Sequence, residues 1–316
     1  MTDQQKQDLR HDEGQAGTRT GLARPSVDVT SERQNSLWSD AWKALQRNPL
    51  FWIGGTLGVF FVLMALFPSV FARGADPRAC DLANSKATPS GEHWFGYDQQ
   101  GCDYLAQVAY GARSSLIIGV LAILVILLLG VVVGSVAGFY GGWVDSLLAR
   151  LTDVFYGIPF ILGAIVLLRA AFTERGSVQV AIALAAFGWM TAMRLVRSQV
   201  IAVKSSDYVA AARAMGASNG RILVRHILPN AVAPVLVYAT ITVGVLIAAE
   251  ATLTYLGVGL QRPAISWGLQ IDNGQSLLRT APHLVLFPSL ILTFTVMAFI
   301  MMGDALRDAL DPRQRS

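Results

Sequence analysis

Histidine and cysteine are nearly missing from this chain: four and two residues out of 316. His11, His93, His226 and His283 are scattered, and none stands in ligand spacing with the cysteines, so no metal cage is expected. Charged residues make up only 15% of the sequence against 53% hydrophobic. Soluble domains carry about 25% charged residues, so this balance points instead to a multi-span membrane protein. The net charge of +4 comes from lysines and arginines dispersed among connecting segments, with no basic stripe of the kind a nucleic acid requires. Catalytic signatures are also missing. There is no Gly-x-x-x-x-Gly-Lys-Ser/Thr loop, no His-Glu-x-x-His helix and no Gly-x-Ser-x-Gly elbow. No catalytic residue and no ATP or magnesium site is therefore assigned to this chain. Any ATP it depends on must be hydrolysed by a partner.

What the chain has in abundance is apolar run. Six stretches stand out, at 51–71, 116–139, 158–172, 178–196, 232–255 and 284–302. A hydrocarbon layer of about 30 Å takes about 20 helical residues, so the reading is an all-α, six-span membrane protein. The run at 158–172 is short and is expected to begin earlier, near Val154, with Pro159 tolerated inside a packed bundle. Gly130, Gly134 and Gly138 recur every fourth residue along the second span, a ridge that lets two helices approach closely.

The segments between these runs set the rest of the organisation. Residues 1–35 are polar and without period, which suggests a disordered tail and no cleavable signal peptide. In 36–48, Leu37, Trp38, Ala41, Trp42 and Leu45 recur at helical spacing, as an interfacial amphipathic helix would. A first span at 49–71 leads to a long loop at 72–112, then a five-helix core at 113–304 and a tail at 305–316. With the N-terminus inside, the inner segments beyond the tail hold twelve lysines and arginines against eight outside. That bias places both termini in the cytoplasm and the 72–112 loop outside. Cys80 and Cys102 both fall in that loop; facing an oxidising exterior they would form a disulfide, and otherwise two free thiols.

Two polar features interrupt the apolar core. Glu250 lies deep in the fifth span, where a charge costs roughly 2.5–3.5 kcal/mol and so turns inward. It serves either a pathway or gating role, or a hydrogen bond to a neighbouring span or the start of a loop. Asp145 and Asp153 flank Arg150 and read as solvated charges or local ion pairs, and Asp304, Arg307 and Asp308 as a polar helix end.

The polar stretch 207–230 has its own punctuation. Asp207 can cap a helix running through Arg213, and Gly216 can end it in a left-handed conformation. Ser218 and Asn219 can cap a second short helix over 221–228, which Pro229 closes off. The elbow carries Arg213, Arg221 and Arg225 beside an apolar stripe of Val209, Ala212, Met215, Ile222, Val224 and Ile227.

The run Ala211-Ala-Arg-Ala-Met-Gly-Ala-Ser218, followed by Arg225-His-Ile-Leu-Pro-Asn230, resembles the coupling motif of ABC-importer membrane subunits. Trp94-Phe-Gly-Tyr-Asp98, Tyr110-Gly-Ala-Arg113, Gly138-Phe-Tyr-Gly-Gly-Trp-Val-Asp145, Glu250-Ala-Thr-Leu-Thr-Tyr-Leu-Gly257 and Gly303-Asp-Ala-Leu-Arg-Asp-Ala-Leu-Asp-Pro312 resemble the C-type permease of dipeptide and oligopeptide importers. One position departs from the pattern: the acidic residue that often opens the motif is Ala210 here. The resemblance implies an inner-membrane permease of a prokaryote that moves di- or oligopeptides. Its partners would be a second homologous permease, two ABC ATPase subunits that bind ATP and magnesium, and an extracytoplasmic peptide-binding protein. Asp207, Tyr208, Ala211, Ala212, Arg213, Gly216, Ala217, Arg225, His226 and Pro229 would then couple to the ATPase. The 72–112 and 257–283 loops, with Pro263 and Trp267, would share the outer surface near a docked binding protein. Nickel chelates or glutathione are alternative cargoes, and a stand-alone secondary transporter or a scaffold are alternative architectures.

Overall fold

The computed structural model describes residues 37–310, and among them every extended regular element is a helix. The expected tail at 1–35 lies outside the described residues. The first helix, α1 (Leu37–Arg47), buries Ala41 and Leu45 against Ala305 and Ala309 of the last helix, while Trp42 stays 54% exposed. The chain then turns at Asn48, whose side chain accepts from the Leu50 N–H, and Pro49 opens α2 (Pro49–Leu66). The first span is broken near its end. Pro68 starts a separate turn, α3 (Pro68–Phe71), because proline forces the preceding Phe67 out of helical geometry.

The second span begins earlier than its apolar run. Helix α4 (Tyr104–Tyr140) has 37 residues and takes in the last nine positions assigned above to the 72–112 loop. Asp103 caps it by accepting from the Ala106 N–H, and the Tyr104 hydroxyl donates to the Leu284 carbonyl at 2.5 Å. Gln107 and Ser115 break the apolar run but are satisfied inside the protein, so they do not break the helix.

The third span departs most from expectation. Helix α5 (Gly142–Tyr156) and helix α6 (Phe160–Ala171) meet at 85°, so the segment from Val154 does not extend the 158–172 run in one line. Pro159 fixes the break: it sits before α6 in extended geometry and holds the chain away from helix. At 12 residues α6 is about 18 Å long by helical rise, well short of the hydrocarbon layer.

Helix α7 (Ser177–Lys204) packs along α4 through the three glycines. A Cβ on Gly134 would meet the Met193 carbonyl oxygen at 2.6 Å, and one on Gly138 the Arg197 carbonyl oxygen at 2.9 Å. The chain continues through α8 (Asp207–Ala214), α9 (Asn219–Arg221), a π-helical turn (Ile222–Ile227) and α10 (Leu228–Tyr255). It ends with the short α11 (Trp267–Gly274) and with α12 (His283–Leu310). α12 runs six residues into the expected 305–316 tail, because α1 covers Ala305 and Ala309. Among the described residues, five helices are long and apolar enough to cross a membrane, and six spans result when α5 and α6 count as one bent span.

Candidate coupling site

The elbow is a defined piece of structure rather than a flexible connector. Helix α8 is capped at the backbone by Ser206, so Asp207 is its first residue and not its cap. There the Asp207 carboxylate still faces the positive end of the helix dipole. The far end closes as a full Schellman motif. The Gly216 N–H donates to Arg213 O at 3.0 Å, the Ala217 N–H to Ala212 O at 3.1 Å, and Gly216 has φ +81°. A Cβ at Gly216 would meet nothing within 4 Å, so conformation alone calls for glycine there. Ser218 Oγ then accepts from the Arg221 N–H and starts the next helix.

The expected stop at Pro229 does not occur. Residues Asn219–Tyr255 form one helix of 37 residues, and Pro229 sits in the first turn of its α10 part. The π turn over Ile222–Ile227 absorbs the ring, and Asn230 Nδ2 donates to the His226 carbonyl at 2.7 Å. The second arm of the elbow, from Asn219, is therefore continuous with a span, and α8 joins it through the Schellman turn.

Its inner face is seated on the bundle. Val209, Ile222 and Ile227 pack with Phe139 at the end of α4, Val196 and Val200 of α7, and Val235 of α10. Lys204 reinforces the seat by donating to the Phe139 carbonyl and lying over its ring at 5.5 Å. The stripe expected to be continuous is split. Val209, Ala212, Ile222 and Ile227 point inward, whereas Met215 is 81% and Val224 65% exposed.

The outer face carries the chemistry. Tyr208, Ala211 and Met215 share one face at helical spacing and are all exposed, forming a short apolar ridge. Arg213, Arg221 and Arg225 are exposed around it with Asp207, while His226 and Ala217 are half-buried. A ridge of this kind can fill an apolar groove with an acidic rim.

Two more pairs brace this end. Asp145 does not pair with Arg150: it reaches across to α7 and accepts from Arg197 Nε at 2.5 Å and Nη2 at 2.6 Å. Asp153 likewise accepts from Arg194 Nη2 at 2.7 Å, and that guanidinium lies 4.0 Å from the Tyr156 ring. Both arginines were legible only as topology signals; no local spacing links them to their partners.

The opposite end of α4 holds the long loop. There Cys80 and Cys102 are joined in a disulfide that spans 22 positions. Arg78 Nη2 donates to the Pro263 carbonyl at 3.4 Å, so the two loops at this end of the bundle meet. Trp267, however, is fully buried against Phe61, with Nε1 donating to Val108 O at 3.0 Å, and contributes nothing to that surface. Glu250 is also fully buried. Its carboxylate accepts from Ser115 Oγ at 3.1 Å, Thr254 Oγ1 at 2.9 Å and Ser266 Oγ at 3.2 Å. The hydrogen-bonding alternative offered for Glu250 is thus realised, to Ser115 on a neighbouring span and to Ser266 before α11; the sequence did not name these partners, and Ser115 lies 135 positions away.

The comparisons with known proteins fit this geometry. Residues 130–316 match the family of binding-protein-dependent transport system inner membrane components, and residues 36–87 match the N-terminal TM domain of oligopeptide transport permease C. The chain is 39% identical over 289 residues to the oligopeptide transport system permease protein OppC of Bacillus subtilis, covering 92% of this chain and 94% of that one. It is 36% identical to the dipeptide transport system permease protein DppC of the same organism, over 93% and 89% of the two chains. With the glutathione transport system permease protein GsiD of Pectobacterium atrosepticum it shares 34% identity, over 88% and 92%. The chain belongs to the family of binding-protein-dependent transport system inner membrane components.

Proposed function

We propose that this chain is a permease subunit of an ATP-driven ABC importer for di- and oligopeptides. It would work in the cytoplasmic membrane of a prokaryote with a second homologous permease, two ABC ATPase subunits and an extracytoplasmic peptide-binding protein. The observation that carries this reading is the elbow: an exposed ridge of Tyr208, Ala211 and Met215 on a helix seated firmly on three spans. The chain itself performs no catalysis, and ATP and magnesium belong to the ATPase partners. ATP binding draws those subunits together, the docked elbow moves with them, and the spans shift between two states that bind the partners unequally.

The lysine and arginine bias supports cytoplasmic termini and a cytoplasmic elbow, with the disulfide loop on the other side. The names of the oligopeptide and dipeptide relatives support a peptide cargo. The glutathione relatives favour a second reading, in which the cargo is that tripeptide.

The test is purification from membranes in mild detergent, with ATP hydrolysis assayed on the proteins recovered alongside. The expected result is an ATPase subunit that is lost on replacing Tyr208, Ala211 and Met215 together by aspartate. A chain recovered alone even after crosslinking would overturn the importer reading. Competition of uptake by dipeptides, longer peptides and glutathione then separates the cargoes.

A further inference from the structure

The helix that starts at the elbow ends at a second piece of machinery. Residues Asn219–Tyr255 are one helix, and Glu250 lies in its last two turns, about 45 Å from the helix start at Asn219 by helical rise. Around its carboxylate the hydrogen bonds form a consistent pattern. Ser115 Oγ, Thr254 Oγ1 and Ser266 Oγ each donate to Glu250. Each hydroxyl also accepts one backbone N–H: Ser115 from Trp267 at 3.4 Å, Thr254 from Leu260 at 3.2 Å, and Ser266 from Leu269 at 3.2 Å. All three amides belong to the chain that returns from α10 into α11. An acceptor at the centre sets the direction of every bond, because a hydroxyl that donates to the carboxylate turns a lone pair to the amide.

Helix α11 is held as tightly as these bonds imply. A Cβ on Gly268 would come 2.8 Å from Ala251 Cα, so α11 lies directly on α10 beside Glu250. Leu269, Gln270 and Gly274 of α11 line a cavity of about 290 Å³ at the loop end, together with Tyr104 and Gln107 of α4.

We propose that Glu250 is a positioning residue that bolts α11, a wall of the outer mouth, to the helix bearing the elbow. A displacement applied at the elbow is then delivered to the outer mouth as one rigid movement, instead of being lost in a loose loop. The bolting follows from the hydrogen bonds alone; the delivery of movement rests on the importer reading.

Two measurements on the full chain in its complex test the two halves separately. The first is hydrogen exchange of peptides covering 257–270. Ser115→Ala is expected to speed exchange at Trp267 by about tenfold and leave Leu260 and Leu269 protected, while Glu250→Ala speeds all three. Ser266→Ala should act at Leu269. Unchanged exchange in all variants overturns the bolt, whatever the protein transports. The second is the number of substrate molecules imported per ATP hydrolysed. Glu250→Ala, or Ser115→Ala should Glu250→Ala not fold, is expected to lower that ratio by about tenfold, and Ser266→Thr, which keeps the hydroxyl, to restore what Ser266→Ala loses. An unchanged ratio alongside faster exchange overturns the transmission role. A wild-type complex without ATPase would instead strike at the importer reading and leave the exchange result standing.

Discussion

A Cβ placed on Gly130 would stand 2.5 Å from the Cβ of Ala192 and 3.0 Å from the Met193 backbone nitrogen. The α4–α7 seam is closed at that point to any side chain at all. Gly55 gives the matching control, because a Cβ there meets nothing within 4 Å. Gly130→Ala is expected to destabilise the purified protein by about 1–3 kcal/mol through overpacking, and Gly55→Ala to leave it unchanged or slightly stabilised. Thermal unfolding in detergent, followed by gel filtration or fluorescence, checks the pair; equal midpoints would remove the seam's claim to tight packing.

Gly216 makes a different demand, one of conformation without crowding. At φ +81° a β-branched residue is strained by roughly 1–2 kcal/mol, while asparagine visits this region at lower cost. Gly216→Val is expected to unwind the Schellman turn and to lose, on purification, the ATPase subunit proposed to dock there. Gly216→Asn should retain most of it. Insertion into membranes should be normal in both, and equal recovery of the partner by the two variants would show that the turn does not govern docking.

The Cys80–Cys102 bond closes the loop against the first turn of α4, where Cys102 is buried. A loop of this length contributes about 3 kcal/mol by restricting the unfolded chain. Reduction, or Cys80→Ser with Cys102→Ser, is expected to lower the unfolding midpoint and expose the 78–103 segment to protease while leaving the elbow seated. Mass spectrometry of the unreduced loop peptide checks the bond directly, and two free thiols would rule it out.

Much of this was legible because long apolar runs and glycine spacing speak for themselves. The spans around 116–139, 178–196 and 284–302 are helices as read, and the Gly130, Gly134 and Gly138 ridge lies where close approach is needed. What sequence could not convey were interactions between distant positions. Tyr104 to Ala112 looked like loop because Gln107 and the residues near Ser115 interrupt hydropathy, yet those polar groups find partners on α11 and the 72–103 loop. Pro229 looked like a terminator because proline removes a donor; the π turn and Asn230 absorb that loss. Pro159 looked tolerable and is instead the corner of an 85° turn. Ser206 and Asp207 are adjacent cap residues, and only the backbone decides between them.

That corner has a consequence for how this subunit can be solvated. At that corner the Pro159 carbonyl still accepts from the Gly163 N–H at 2.9 Å, but the Gly157 and Ile158 carbonyls leave helical pairing, and hydrocarbon offers them no substitute partner. α6 alone also falls short of the acyl-chain thickness. The flank bearing α5 and α6 must therefore face protein or water, so the annulus of lipid around the bundle is open on one side.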